Sequence, residues 1–289
     1  MALAHWKNPE AHAAYERAYA ASLQRWPIPF ESRVTPTPFG DTHVIESGEP
    51  DGEPVVLLHA ASLTAVQWYL QAADLGRTHR LFAVDIMGDI GLSRQHKEIH
   101  TRAQAADWLA ATLDGLRLDR AALVGSSFGG FHATNLAVAH PDRVSRLALL
   151  APAATLKPFK LLANVFIRTD SLLPLPMTVK PVLRGMMNGE LPDPRIVRQM
   201  QIGVAGFRYD RAGVYPSQIA DAELAGLGCR TLVLLGDREM IYDPNEAARR
   251  AAELIADCEV EVVPGVGHLL GMQRPDLVNA RLNAFLETG

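Results

Sequence analysis

A serine, a histidine and a carboxylate, each placed where the chain leaves an apolar run, carry the chemistry this sequence could perform. Ser127 sits in Gly125-Ser126-Ser127-Phe128-Gly129, a Gly-x-Ser-x-Gly turn. The turn follows Ala121-Ala122-Leu123-Val124 and opens a stretch that reads as helix from Phe128 to Ala139. In a strand–turn–helix context this spacing marks a nucleophile elbow. So tight a turn admits only small residues two positions either side of the serine, which accounts for glycine at 125 and 129. A serine hydroxyl is a poor nucleophile at neutral pH. It needs a base to take its proton, and the base needs a carboxylate to orient it.

Of the ten histidines, His268 alone lies past the final expected strand, on the loop Val263-Pro264-Gly265-Val266-Gly267-His268, and is read as the base. His132 and His140 belong to the helix after the elbow; His140 suits a helix end, where a cation meets the dipole. For the acid, the run Leu234-Leu235 leads into Gly236-Asp237-Arg238-Glu239. A position three past the glycine points to Glu239, whereas aspartate is the commoner residue type in the role and points to Asp237. The residues leave both open. Asp243, before Pro244, reads as a helix cap. A tetrahedral intermediate would need two N–H donors. One is expected from Phe128, the other from Ala61, in the loop Ala60-Ala61-Ser62-Leu63 that follows Leu57-Leu58-His59. Ser62 reads mainly as a turn residue, and alanine at 60 requires the turn to avoid positive φ there. The glycine-punctuated run from Asp85 to Ser93 lacks a following Gly-Lys-Ser/Thr, so it reads as a loop shaping the rim of the site rather than a phosphate cradle.

The elements that must position these residues alternate. Strands are expected at 44–46, 54–58, 80–84, 121–124, 146–150, 230–235 and 259–263. Helices are expected from Arg102 to Leu116, from Phe128, from Pro244 to Ala256 and from Pro275 to Phe285. Such alternation implies an α/β fold with a mostly parallel sheet covered by helices on both faces. The pattern breaks between Leu150 and Thr231, a proline-rich and apolar stretch too long for a plain loop. The expected division is an N-terminal helical segment (1–30, with a helix from Pro9 to Gln24), a core (31–152 and 221–289) and a helical cap (153–220) inserted before the acid-bearing strand. The N-terminal helix could pack on the core or serve a homodimer contact. His59, Ser62, Met186, Met187 and Phe207 are expected to line a pocket for an apolar group.

Composition excludes several alternatives. The formal net charge is −4 and no basic run is interleaved with aromatics, so nucleic acid is not the expected partner. No segment approaches the roughly 20 apolar residues that span a bilayer, and the first residues lack an apolar core of signal-peptide length. The cytosol is the expected compartment. Cys229 and Cys258 read as buried reduced thiols, and neither a metal nor a cofactor is called for.

These motifs together resemble the α/β-hydrolases, whose catalytic residues come in the chain order Ser, acid, His. More narrowly, the chain is similar over nearly its whole length to bacterial carboxylesterases of the naproxen-esterase type. The resemblance rests on Leu57-Leu58-His59, Trp68-Tyr69, Ala83-Val84-Asp85-Ile86-Met87-Gly88-Asp89, the elbow, the run from Leu235 to Pro244, and Gly267-His268. It implies a helical cap, hydrolysis of carboxylic esters without a cofactor, and glutamate as the acid, hence Glu239. Ala60 departs from the glycine usual at that position. Other reactions on the same residue set fit the motifs: C–C bond, lactone or amide hydrolysis, or perhydrolysis. So does a ligand receptor that has kept the fold. A serine at the elbow disfavours dehalogenases and epoxide hydrolases, which need a carboxylate there.

Overall fold

The computed structural model describes residues 3–161, 163, 175–210 and 212–287. A short strand β1 (His5–Trp6) precedes helix α1 (Pro9–Leu23). The hairpin β2 (Phe30–Thr37) and β3 (Gly40–Gly48) follows, then β4 (Glu53–Leu58), α2 (Ala72–Leu75), β5 (His79–Val84) and β6 (Arg94–Gln95). Next come α3 (Arg102–Gly115), β7 (Ala121–Ser126), α4 (Phe128–Ala139) and β8 (Val144–Leu150). The stretch before the next core strand contributes α5 (Val179–Met186), α6 (Pro194–Gly206), β9 (Phe207–Arg208) and α7 (Asp221–Ala225). The last elements are β10 (Arg230–Gly236), α8 (Pro244–Leu254), β11 (Cys258–Val263), α9 (Leu270–Gln273) and α10 (Pro275–Glu287).

The main sheet runs in the order β11-β10-β8-β7-β4-β5-β3-β2, with β6 beside the start of β3. Strands β5 through β11 along this path are parallel, and β3 and β2 are antiparallel. Residues Val55, Val56, Leu57 and Leu58 are all fully buried, as a strand covered on both faces requires. One apolar layer gathers around Trp68, Tyr15 and Phe285, the other around Trp108, Phe131 and Tyr242.

Two local signals set helix starts. Thr101 and Gln104 form a reciprocal capping box at α3, and Asp243 accepts the N–H groups of Asn245 and Glu246 at α8, with Pro244 at the first position. Helix α8 ends two residues earlier than expected, while α10 runs on to Glu287. The hairpin strand β2 was not expected: most of its residues are exposed, so it shows no apolar alternation. Cys258 is only half-buried, contrary to expectation, because it opens an edge strand; Cys229 is buried. Burial raises both thiol pKa values, that of Cys258 to about 12 with help from Asp257 and Glu259.

The N-terminal segment grips the part of the chain that interrupts the alternation. β1 pairs antiparallel with β9, and the Trp6 ring meets Phe207 at 5.1 Å. Helix α1 packs along α6, where Tyr15 Oη accepts from Gln199 Nε2 at 3.1 Å. A Cβ on Gly203 would stand only 3.1 Å from the Tyr15 ring, so glycine lets the two helices close. Among the described residues, no helix is long and apolar enough to cross a membrane.

The chain order reverses at β4. The chain crosses from β4 to β5 on one side, then returns through α3 to β7 on the other. The loops leaving β4 and β7 at their C-terminal ends therefore flank one crevice, the place where open parallel sheets bind ligands. Ala61 follows β4, and Ser127 follows β7.

Candidate active site

Ser127 has φ 50° and ψ −110°, a sparsely populated conformation for a residue with a side chain. Three backbone bonds hold it there. Its N–H donates to Leu150 O at 2.9 Å, and its carbonyl accepts from Ala153 N at 2.9 Å and Phe131 N at 3.1 Å. The flanking glycines are needed for close approach rather than for unusual dihedrals. A Cβ on Gly125 would lie 2.5 Å from Gly129 O, and one on Gly129 would lie 2.0 Å from Leu58 O. The second contact seats the first turn of α4 against the end of β4, beside the loop that carries Ala61.

His268 reaches the elbow from the loop after β11. Its Nε2 lies 2.7 Å from Ser127 Oγ, and its Nδ1 lies 2.5 Å from Glu239 Oε2. All three side chains are buried. With Nδ1–H donating to the carboxylate, Nε2 is left as the acceptor for the serine hydroxyl. The other Glu239 oxygen, Oε1, accepts Ile241 N–H at 2.9 Å, which fixes the carboxylate plane. Tyr242 packs its ring edge-on to His268 at 6.3 Å; burial first, and the Glu239 charge second, keep its phenol protonated far above the usual range.

Asp237 is turned elsewhere. Its Oδ1 accepts Gly265 N–H at 2.7 Å, and its side chain is 39% exposed. Asp237 N–H and Arg238 N–H also donate to Val263 O and Val266 O, at 3.0 and 2.9 Å. A Cβ on Gly236 would sit 2.1 Å from Val266 O, so strand β10 ends in direct backbone contact with the histidine loop. From the other side, Leu269 N–H donates to Met186 O at 3.2 Å, and Gly267 N–H donates to Gln273 Oε1 at 2.9 Å.

The loop after β4 is held as tightly. Ala60 N–H donates to Gln67 Oε1 and Ser62 N–H to Asp89 Oδ2, both at 2.8 Å. Ala60 avoids positive φ, which falls instead on Ser62 (64°) and Thr64 (70°). Neither Ala61 N–H nor Phe128 N–H has a hydrogen-bond partner among the described residues. Asp89 belongs to the glycine-punctuated run after β5. Burial pushes its carboxyl above the ordinary range, opposed by His59 and the Ser62 and Ile90 N–H groups.

The expected pocket set needs correction. His59 has no exposed surface, and both ring nitrogens are taken: Nδ1 by Ala60 O at 2.8 Å and Nε2 by Ile86 N–H at 2.9 Å. It braces the loop instead of lining a cavity. Ser62 turns its hydroxyl to Tyr209 Oη at 2.7 Å. Met187 is buried in the core, and Phe207 is buried between Trp6 and Tyr209 because β9 pairs with β1. Met186 is half-buried, and it is its backbone carbonyl that meets the histidine loop, 2.3 Å from where a Cβ on Gly267 would stand. Gln67 and Tyr209 were not anticipated as parts of the site, and no motif marks either; Asp89 lies in the glycine-punctuated run from Asp85 to Ser93 that was expected to shape its rim.

Residues 55–281 match the Alpha/beta hydrolase family. The chain is 37% identical over 283 residues to "Uncharacterized carboxylesterase nap" of Bacillus subtilis (strain 168), covering 95% of this chain and 93% of that protein. The crystal structure of naproxen esterase (carboxylesterase NP) from Bacillus subtilis has a TM-score of 0.91 and 35% identity, covering 97% of this chain and all of that one. Carboxylesterase CesB (YbfK) from Bacillus subtilis gives a TM-score of 0.90 at 30% identity, covering 97% and 99%.

Proposed function

The chain belongs to the alpha/beta hydrolase family, and from that premise we propose that it hydrolyses carboxylic esters through Ser127, His268 and Glu239. The observation that carries the reading is the unbroken hydrogen-bonded path from Ser127 Oγ through both nitrogens of His268 to Glu239 Oε2. Similarity to carboxylesterases over nearly the whole chain supports the ester as the bond cleaved.

Ser127 Oγ attacks the ester carbonyl while its proton passes to His268 Nε2. Glu239 stabilises the imidazolium and holds the tautomer. The N–H groups of Phe128 and Ala61 receive the oxyanion; a donor of this kind is worth about 10²–10³ in rate. The alcohol leaves with the proton from His268, and water, deprotonated by the same nitrogen, releases the acid and frees Ser127. An apolar group on the substrate is part of this reading, supported by the apolar stretch that interrupts the alternation before β10. The reading places the enzyme in the cytosol.

The test is a panel of p-nitrophenyl esters, a lactone, an amide and a β-diketone, assayed with the wild type and with Ser127→Ala. Ester turnover that vanishes in the variant is expected. Full activity in Ser127→Ala would overturn the reading, and turnover of the β-diketone alone would move it to C–C hydrolysis.

A further inference from the structure

Far from the elbow, at the β2 edge of the sheet, a second serine is wired to a histidine and a carboxylate. His43 Nε2 lies 2.8 Å from Ser32 Oγ, and His43 Nδ1 lies 3.0 Å from Asp85 Oδ2. Asp85 has no exposed surface and His43 almost none, whereas Ser32 is exposed. We propose that Ser32 is a second acylatable serine, reactive toward small activated aryl esters in a stoichiometric rather than a catalytic reaction.

The chemistry follows from the partners. Burial acts to raise the Asp85 carboxyl, yet it lies below the usual range, the His43 hydrogen bond leading the opposing causes and the Ala65 N–H adding to it. Asp85 is therefore an anion at neutral pH. It also accepts the N–H groups of Ala65 and Leu92, at 2.7 and 2.9 Å, so it is fixed in place. An anionic acceptor at Nδ1 puts the imidazole proton there and leaves Nε2 to accept from the Ser32 hydroxyl.

The edge strand supplies a site for an apolar reagent. Ser32 pairs with Ile45 across the hairpin, so it shares a face with Ile45 and, two residues away, with His43. On that face Phe30 and Val34 flank Ser32 and are 41% and 62% exposed. An aryl ester can rest on these two side chains with its carbonyl at Ser32 Oγ. Attack forms the Oγ–acyl bond while the serine proton moves to His43 Nε2. The aryl–oxygen bond then breaks, and the phenolate takes that proton away as the phenol. Ser32 sits on extended strand with no helix N-terminus behind it, so the oxyanion lacks a preorganised donor pair. Only good leaving groups react, and the acyl-serine persists.

The experiment uses full-length Ser127→Ala protein, p-nitrophenyl acetate and mass spectrometry. The expected result is a burst of one equivalent of p-nitrophenolate and one acetyl group on the peptide containing Ser32, before any other serine or any lysine is modified. The same treatment of Ser127→Ala/Ser32→Ala should give neither burst nor that adduct; Ser32 is exposed, and circular dichroism checks that the double variant is folded. An unmodified Ser32, or a burst that survives the double substitution, would overturn the proposal.

Discussion

Two serine–histidine–carboxylate chains of similar length run through this molecule, and they differ in almost everything around them. At Ser127 the backbone is forced into φ 50°, the serine is buried, and a helix begins with the next residue. At Ser32 the backbone is ordinary strand and the serine faces solvent. The carboxylates differ as well. Glu239 accepts one backbone N–H besides His268, whereas Asp85 accepts two, plus a longer bond from Tyr19 Oη at 3.4 Å. One path ends at the crevice where the sheet reverses. The other begins inside a structural hub that ties α1, β3 and the loops after β4 and β5 together. A proton path to a serine is therefore only part of an active site; the strained turn and the oxyanion donors proposed at Phe128 and Ala61 distinguish the first location.

The largest expected effect separates the two serines. Ser127→Ala should lower kcat for an ester by about 10⁶, the cost seen when a serine nucleophile is removed from such a set. Steady-state hydrolysis of a p-nitrophenyl ester checks it. A loss below about tenfold would mean that turnover runs elsewhere in the chain, which removes the contrast altogether.

The two carboxylates should fail in opposite ways. Glu239→Gln is expected to cost about 10⁴ in kcat, because an amide can no longer enforce the Nδ1–H tautomer or stabilise the imidazolium. Asp85→Asn should instead strike the fold. Both Asp85 oxygens accept a backbone N–H, so an amide must turn its NH₂ toward one of these donors. A buried mismatch of this kind costs about 2–4 kcal/mol, measurable by urea unfolding. If Asp85→Asn left stability unchanged, the hub reading of that region would fall.

His132 marks a third case, a buried histidine whose two ring nitrogens have no hydrogen-bond partner among the described residues. It packs edge-on to Phe128 at 4.4 Å, and burial, helped by His59, lowers its pKa to about 3. Below its ordinary pKa of 6.5 the unfolded chain takes up a proton that the folded chain refuses. Stability from this residue is therefore complete above about pH 6.5 and is lost as pH falls toward about 3, by up to roughly 5 kcal/mol. Unfolding free energies at neutral and mildly acid pH should show this slope, and His132→Phe should flatten it. An unchanged slope in the variant would show that water or a rearranged side chain satisfies the imidazole.

What could be read from the residues follows the distance over which each feature is determined. The elbow is legible because a tight turn excludes side chains at Gly125 and Gly129, and those exclusions leave a spacing in the sequence. The starts of α3 and α8 are legible because Thr101 and Asp243 bond to backbone three residues away or fewer. Strand β2 is not, since its exposed residues carry no apolar period. The β1–β9 pair and the Ser62–Tyr209 bond are also silent, because each joins distant segments through contacts that any of several residue types could make. The Ser32–His43–Asp85 path lies on three separate elements with no motif to announce it.

The choice between Asp237 and Glu239 shows the same limit at its shortest range, and it yields the smallest effect. The two carboxylates are two residues apart, and which one meets His268 depends on how the loop after β10 turns. That turn is set by Gly265, whose N–H takes Asp237 Oδ1 and draws it away from the imidazole. Asp237→Asn retains a carbonyl oxygen for this bond, so kcat/KM should fall less than about tenfold, under 1.4 kcal/mol. Asp237→Ala leaves Gly265 N–H to water and loosens the loop that holds His268; a somewhat larger loss is expected, still far short of that in Glu239→Gln. The three variants assayed side by side rank the interactions. If Asp237→Asn fell as far as Glu239→Gln, the histidine would be answering to Asp237 in solution, and the contrast between the two hydrogen-bonded chains would have to be redrawn with an aspartate in each.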